Sequence, residues 1–138
     1  MKQLLMYLVL IMLAGCAPTP GQLKHEDFTW SNVRTTYGYQ EAYRRIVEGL
    51  RMCGTPYDTV LYTDNNTGNF DIFLPAAWPL HHQRSAWVAG RINIYSLNNG
   101  TSAVNIGVVN MFDKPVFGEQ GRIRRIWSGY LDRKFECL

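Results

Sequence analysis

The sequence has few of the residues and motifs by which an activity is usually recognised. It contains only three histidines and three cysteines, and charged residues make up 18% of the chain. The formal net charge of +3 is too small to indicate a nucleic-acid partner. No Gly-x-Ser-x-Gly motif provides a serine nucleophile. These shortages argue against a nucleic-acid binder and against a serine hydrolase of that type.

The length and composition are those of an ordinary globular protein. A chain of 138 residues suits one domain rather than two. Hydrophobic residues make up 46% of it and aromatic residues 13%, which argues against a disordered chain and against a membrane protein with several spans. The sequence therefore predicts a single domain with its own hydrophobic core.

The amino terminus has the form of an export signal. Lys2 gives it a positive start, and residues 4–13 are apolar apart from the hydroxyl of Tyr7. This run is well short of the roughly 20 residues that a membrane-spanning helix needs, and its length is typical of a signal peptide.

Leu13-Ala14-Gly15-Cys16 resembles the lipobox of bacterial lipoproteins, in which a leucine and two small residues precede the lipid-bearing cysteine. The resemblance implies that residues 1–15 are removed as a signal peptide and that Cys16 receives acyl chains such as palmitate. Two or three chains make a durable membrane anchor, because each buried CH₂ contributes about 0.8 kcal/mol. The alternative is an ordinary signal peptide in which Cys16 has no role.

The residue after Cys16 bears on localisation. In the lipoproteins of enteric bacteria an aspartate at that position favours the inner membrane, whereas this chain has Ala17. The resemblance therefore implies the periplasmic face of the cell outer membrane. Residues 16–37, which include Pro18 and Pro20, are predicted to be a tether that lifts the domain off the lipid.

The two remaining cysteines, Cys53 and Cys137, are predicted to form a disulfide bond, because an even pair in an exported chain is typical of one. They lie 84 residues apart, and a crosslink over that distance contributes up to about 4.5 kcal/mol in the chain-entropy model. A redox pair and a metal site are the alternatives.

Hydrophobic periodicity predicts two helices and four strands after the tether. The first helix covers 39–52, and its apolar face contains Ala42, Tyr43, Ile46, Val47 and Leu50. The second helix covers 119–134, with a stripe of Ile123, Ile126, Trp127, Tyr130 and Leu131. The predicted strands are 59–63, 70–74, 87–97 and 101–110.

These elements predict an α+β fold. We expect a four-stranded antiparallel meander with an N-terminal and a C-terminal helix packed on it, in one domain over residues 38–138. Asn98-Asn99-Gly100 predicts a hairpin between the last two strands, because Asn-Gly tolerates the positive φ of a type I′ turn.

The irregular stretch 75–87 holds the candidate partner or ligand contacts, namely Trp78, His81, His82 and Trp87. Two adjacent histidines bind one metal only if they lie on a loop. The simpler interpretation of His81 and His82 is therefore a pair of surface residues, and the functional alternative is a general base. No metal site, cofactor or catalytic residue is predicted. Exposed aromatic residues here could anchor a partner, although core packing is their usual role.

The sequence thus predicts a non-enzymatic lipoprotein that faces the periplasm and acts as a binding or assembly module. Its expected partners are the membrane, through the acyl chains on Cys16, and another envelope protein, through the sheet face or the 75–87 loop. One alternative is a binder of a small apolar ligand or lipid in a pocket lined by Trp78, Trp87 or Trp127. Another is an enzyme dependent on His81 and His82. The basic last helix could also meet anionic lipid, although a solvated helix face explains it equally.

Overall fold

Antiparallel strands make up most of the domain. The computed structural model describes residues 20–73, 88–111, 114–115 and 120–137. In chain order the elements are β1 Phe28–Thr35, α1 Tyr39–Met52, β2 Tyr57–Tyr62, β3 Thr67–Phe73, β4 Val88–Ser96, β5 Ser102–Met111, β6 Lys114–Pro115 and α2 Gln120–Gly129. Short 3₁₀ turns lie at Pro20–Gln22, His25–Asp27 and Tyr130–Asp132.

The strand order is β1-β5-β4-β3-β2, and the two-residue β6 pairs with β5. The predicted four-stranded meander with two flanking helices is therefore wrong, because the sheet has a further long strand. Along its whole length β1 pairs with β5, from Phe28 opposite Val109 to Thr35 opposite Ser102. This strand lies inside the range 16–37 that the sequence analysis assigned to the tether.

The sequence did not predict β1, because its apolar residues are divided between the two faces of the sheet. Phe28 and Trp30 lie on the outer face of the sheet, whereas Val33 packs against the core between sheet and helices. A strand predicted from period-two alternation needs its apolar residues on one face. In β1 the pattern breaks in the middle, so the strand has no such signal.

The first helix is confirmed with the predicted bounds. Ala42, Ile46 and Leu50 are fully buried, as the apolar face predicts. The helix ends where Gly54 adopts a φ of 61°, which a glycine does without strain. The Thr55 N–H then donates to the Leu50 carbonyl at 2.9 Å, and the Gly54 N–H donates to the Arg51 carbonyl at 3.0 Å. These two bonds form a Schellman motif, which satisfies carbonyls that the helix end would otherwise leave unpaired.

The second helix is shorter than predicted, because α2 ends at Gly129 and the chain continues as a 3₁₀ turn over Tyr130–Asp132. The turn ends at Arg133, whose φ of 56° lies in the left-handed region. The predicted stripe is nevertheless buried as a whole: Ile123, Ile126, Trp127, Tyr130 and Leu131. In the ranges that the structure describes, no helix has both the length and the apolar character that crossing a membrane requires.

The core lies between the two helices and one face of the sheet. The strands contribute Phe70, Ile72, Ile92, Ile94, Val104, Ile106 and Val108, all almost fully buried. Two aromatic rings fit against glycines: a Cβ added to Gly90 would lie 2.5 Å from the Trp127 ring, and one added to Gly49 would lie 2.3 Å from the Tyr130 ring. The absence of a side chain at Gly90 therefore lets α2 approach the sheet closely. The absence of a side chain at Gly49 does the same for α1 and the Tyr130–Asp132 turn.

The hairpin between β4 and β5 forms where it was predicted, but its turn type differs. Gly100 has a φ of 76°, whereas neither Asn98 nor Asn99 has a positive φ. The Gly100 N–H donates to the Leu97 carbonyl at 3.2 Å, and the Leu97 N–H donates to the Thr101 carbonyl at 2.9 Å. This is the three-residue loop with a left-handed glycine rather than the two-residue type I′ turn.

The predicted disulfide between Cys53 and Cys137 is confirmed, with the two Cα atoms 5.3 Å apart. Cys53 caps the C-terminal end of α1, and Cys137 lies in the last segment of the chain. The hydroxyl of Tyr130 donates to the Cys53 sulfur at 3.5 Å, and burial raises the pKa of this tyrosine. The bond thus fastens the end of the chain to α1 beside the core.

We expect the double variant Cys53→Ala/Cys137→Ala to lose about 2–4 kcal/mol of the free energy of unfolding, because its unfolded chain is no longer crosslinked. Urea unfolding followed by tryptophan fluorescence measures this, since Trp127 is fully buried in the folded state. The control is the unaltered chain with a reducing agent, which should lose a similar amount. Unchanged stability in both cases would contradict the prediction.

Candidate functional site

The two faces of the sheet differ in what covers them. Both helices pack on the inner face, where the main core lies. Among the residues that the structure describes, no helix packs on the outer face, and only the segment 23–27 lies over one end of it. An open sheet face is where binding is sought first, because its strands hold side chains in fixed register.

The covered end of the outer face is apolar. Phe28, Val88 and Val109 are buried there and pack with Leu23, Trp30 and Phe73. This small cluster is separate from the main core, and satellite clusters of this kind usually lie under loops. It fixes the amino-terminal segment against the sheet.

Trp30 lies flat on the outer face at the position of Gly107. A Cβ on Gly107 would come within 2.8 Å of the indole ring, so the ring contacts the strand backbone directly. His25 stacks on Trp30 with the ring centres 4.8 Å apart, and the Trp30 Nε1–H donates to the His25 carbonyl at 2.8 Å. Trp30 is therefore held in one orientation at the edge of the open surface.

An ion pair occupies the next position across the sheet. The Arg91 guanidinium donates to the Asp71 carboxylate at 2.7 Å, and both side chains are half-buried. Arg91 also lies 5.3 Å from the centre of the Phe28 ring, within the range of a cation–π contact. The charges at this position compensate each other.

Four asparagines form a continuous row across the middle of the outer face. Asn32 lies opposite Asn105, Asn105 opposite Asn93, and Asn93 opposite Asn69, so the row crosses β1, β5, β4 and β3. Residues that pair across strands point to the same face. With strands about 4.8 Å apart, the row is roughly 14 Å long. The Asn32 side-chain amide donates to the Asn105 side-chain oxygen.

This row is unusual for a sheet, because asparagine is among the residues that strands disfavour. A stable solvent-facing strand would have threonine or another β-branched residue at such positions. When several residues with a poor strand propensity occur together in a sheet, a functional site is expected at that place. The alignment of four such residues therefore makes the row the first candidate for a binding site.

Exposed aromatic and aliphatic side chains flank the row on the side away from Trp30. Tyr95 is 40% exposed, Tyr62 45% and Val60 48%. Val60 pairs with Asn69 and so continues the asparagine row onto β2, while Tyr62 and Tyr95 both pair with Thr67 in the next row. We call the surface formed by the four asparagines, Val60, Tyr62 and Tyr95 the amide face.

A second concave surface lies between β1 and α2. It is a groove of about 560 Å³ with an apolar floor of Val33, Ile126 and Leu131. Its rim carries charges of both signs: Arg34, Arg125, Asp132, Lys134 and Glu136. Arg125 lies 3.7 Å from Glu136, an exposed pair of little energetic weight.

Arg45 forms a structural cluster beside this groove. It donates to the Leu131 carbonyl at 2.6 Å and to Glu41 at 2.8 Å, and its guanidinium lies 3.7 Å above the centre of the Tyr37 ring. The hydrogen bond from Arg45 holds the pKa of Glu41 below its usual value, and the same bond raises the pKa of Arg45. These contacts join α1 to the Tyr130–Asp132 turn, so the role of Arg45 is structural.

The sequence-based contact residues Trp78, His81, His82 and Trp87 lie outside the described residues. Of the three tryptophans expected to line an apolar pocket, Trp127 is described, and its fully buried ring fills the space above Gly90 instead of lining a cavity. Its Nε1–H has no hydrogen-bond partner in the described part of the chain. Cys16 also lies outside the described residues.

The charges of the last helix are partly compensated. Arg125 faces Glu136, and Arg133 lies 3.9 Å from Glu48 of α1. Both pairs are exposed and therefore weak, as is usual on a solvated helix face. Within the described ranges, no group of three potential metal-ligating side chains comes together.

No protein-family model matches this chain, and no curated protein matches it in sequence.

If the asparagines are present for binding and not for folding, their replacement by threonine should stabilise the domain. We expect Asn69→Thr and Asn93→Thr each to raise the free energy of unfolding by up to about 1 kcal/mol, because threonine suits a strand better. Urea unfolding of the two variants measures the change.

The matched control is Thr67→Asn, which should lower the stability by a similar amount, since Thr67 lies on the same face of β3. A loss of more than about 1 kcal/mol in Asn69→Thr or Asn93→Thr would show that the row holds the sheet together. The row would then no longer be a candidate site.

Proposed function

We propose that this protein is a non-enzymatic lipoprotein of the cell envelope, anchored by acyl chains on Cys16, whose amide face binds another envelope component. The lipobox supports the anchor, and Ala17 supports the periplasm-facing side of the outer membrane. The open amide face supports the binding role, and this single observation carries the proposal. A rigid sheet presents the asparagines and tyrosines, as binding constellations require.

The disulfide fits the same proposal. Disulfide bonds persist in oxidising compartments such as the bacterial periplasm, and they are rare in the reducing cytosol. The Cys53–Cys137 bond closes most of the domain into one loop. An exported, crosslinked domain is suited to a lasting structural or binding role outside the cytosol.

We expect a Cys16→Ser protein to lose labelling by radioactive palmitate and to leave the membrane fraction, because no other residue of the lipobox can carry the thioether-linked lipid. Labelling in cells followed by fractionation measures both effects. The control is Cys53→Ser/Cys137→Ser, which keeps Cys16 and should remain labelled. Continued palmitate uptake by Cys16→Ser would refute the anchor.

The amide face is tested by in-cell photo-crosslinking. A crosslinking amino acid at Val60 or Tyr95 should give adducts with an envelope component, because both side chains are exposed on this face. Met52 is the matched control: it is 67% exposed but lies at the end of α1, which packs on the other face. Equal adducts from Val60 and Met52 would remove the support for the amide face.

The groove between β1 and α2 supports a second candidate function, the binding of a small apolar ligand or lipid. Its apolar floor and its volume of about 560 Å³ suit such a ligand. The same crosslinking experiment separates the two, because Thr36 lines the groove and is exposed. Adducts from Thr36 together with none from Val60 would favour the groove.

A further inference from the structure

We propose that the ligand of the amide face is a glycan strand of the cell wall, built of N-acetylated sugars. This inference rests on the proposed envelope function and names the partner class for the same surface. The proposed ligand differs from the envelope protein that the sequence predicts as the partner.

The hydrogen-bonding capacity of the amide face matches a sugar chain. Each asparagine side chain has one carbonyl acceptor and two N–H donors. Sugar hydroxyls and acetamido groups are also donors and acceptors without charge. The row therefore offers both kinds of partner at intervals of about 4.8 Å over roughly 14 Å. It crosses the strands in a straight line, which suits an extended ligand lying across the sheet.

The charge distribution of the face favours a neutral ligand. The asparagine row has no ionisable side chain. Of the two neighbouring rows, one contains Arg91 paired with Asp71 at 2.7 Å and then Asp58, and the other contains Arg34 at its β1 end. A phosphate-rich ligand would need a cluster of lysines or arginines, since these provide its strongest contacts. A partner protein would more often meet an apolar centre with a polar rim, whereas here the centre is polar.

Exposed aromatic rings border the row on one side. Tyr62 and Tyr95 are exposed there, whereas the two faces of the Trp30 ring are already covered by Gly107 and His25. A tyrosine side chain combines a flat apolar ring with a polar hydroxyl, so it suits ligands that have one apolar face and polar groups around it. Sugar rings have such faces in their C–H groups. The combination of amides with bordering rings therefore fits a carbohydrate better than a peptide.

The proposed anchor keeps the face near the wall. The chain between Cys16 and Leu23, where the amino-terminal segment packs on the sheet, can span at most about 25 Å. A domain held that close to a membrane is suited to a ligand that is itself fixed in the envelope. Soluble exported polysaccharides have no such fixed position, so the wall is the source to which we assign the ligand.

The test uses the full-length lipoprotein purified in detergent, with isolated peptidoglycan sacculi as the probe. We expect the protein to sediment with the sacculi, and a soluble hexamer of β-1,4-linked N-acetylglucosamine to compete. A cellulose-derived hexamer of the same linkage but without acetamido groups should compete less. Asn69→Thr/Asn93→Thr should bind at least about tenfold more weakly, because each amide is replaced by a shorter side chain with a single hydroxyl, which has fewer donors and a shorter reach.

Two controls keep the result interpretable. Met52→Ala should bind as the unaltered protein does, since Met52 lies away from the amide face. Urea unfolding must show that Asn69→Thr/Asn93→Thr is folded, so that weaker binding is not a loss of structure. Tyr95→Ala provides a second, independent change on the same face and should also weaken binding.

The inference fails if the protein stays in the supernatant, or if Asn69→Thr/Asn93→Thr sediments as the unaltered protein does. It also fails if Val60 crosslinks to one envelope protein and sacculi do not bind. That last outcome would leave the envelope-binding function intact and overturn only the glycan. Palmitate labelling of Cys16 is measured in a separate experiment. A failure of the proposed anchor can therefore be told apart from a failure of the proposed glycan ligand.

Discussion

The contact between Trp127 and Gly90 holds the architecture together. The indole ring lies against β4 where a side chain is missing, and a Cβ on Gly90 would also come within 2.5 Å of the Gly107 carbonyl oxygen. The position of α2 on the sheet depends on this close approach. Once α2 is placed, Tyr130 follows it into the space at Gly49 of α1, and Cys137 comes within bonding distance of Cys53. Two missing side chains, at Gly90 of β4 and Gly49 of α1, thus set how both helices pack beside the disulfide.

Both helices pack on the inner face of the sheet, so the outer face is the one that remains available for other contacts. Tightly packed interiors tolerate little change in volume. Trp127 therefore takes no ligand of its own, and the two concave or open surfaces lie at the edge of α2 and on the outer face. In the proposed function, folding and binding use opposite sides of one sheet. Changes in the asparagine row, which lies outside both hydrophobic clusters, should consequently affect recognition more than stability.

The parts of the fold that could be predicted are those with local or compositional signals. The helix at 39–52 was predicted because its apolar periodicity agrees with the terminating residues Gly54 and Pro56. The Cys53–Cys137 bond was predicted from the number of cysteines and the export signal. β1 was missed because Phe28 and Trp30 face outward while Val33 faces inward, and the turn at Gly100 was misassigned because Asn-Gly fits two turn types.

The amide face could not be predicted, because it depends on pairing between strands far apart in sequence. Asn93 alternates with Ile92 and Ile94, so its outward direction is visible in the sequence. That it lies in one row with Asn32 follows only from the pairing of β1 with β5, whose strands are separated by α1 and three other strands. Register of this kind is set by tertiary packing, and no single segment contains it.

The position of β1 also has a mechanical consequence. In the proposed function, tension between the anchor at Cys16 and a bound wall first loads the segment 23–27, which packs on the outer face, and then β1. Hydrogen bonds in an antiparallel ladder lie perpendicular to the strands, so a pull along β1 shears the whole β1–β5 ladder at once and does not open it bond by bond. The disulfide lies off this path, between α1 and the last segment. The resistance of the link to force therefore depends on the amino-terminal cluster and the strand ladder, and not on the disulfide.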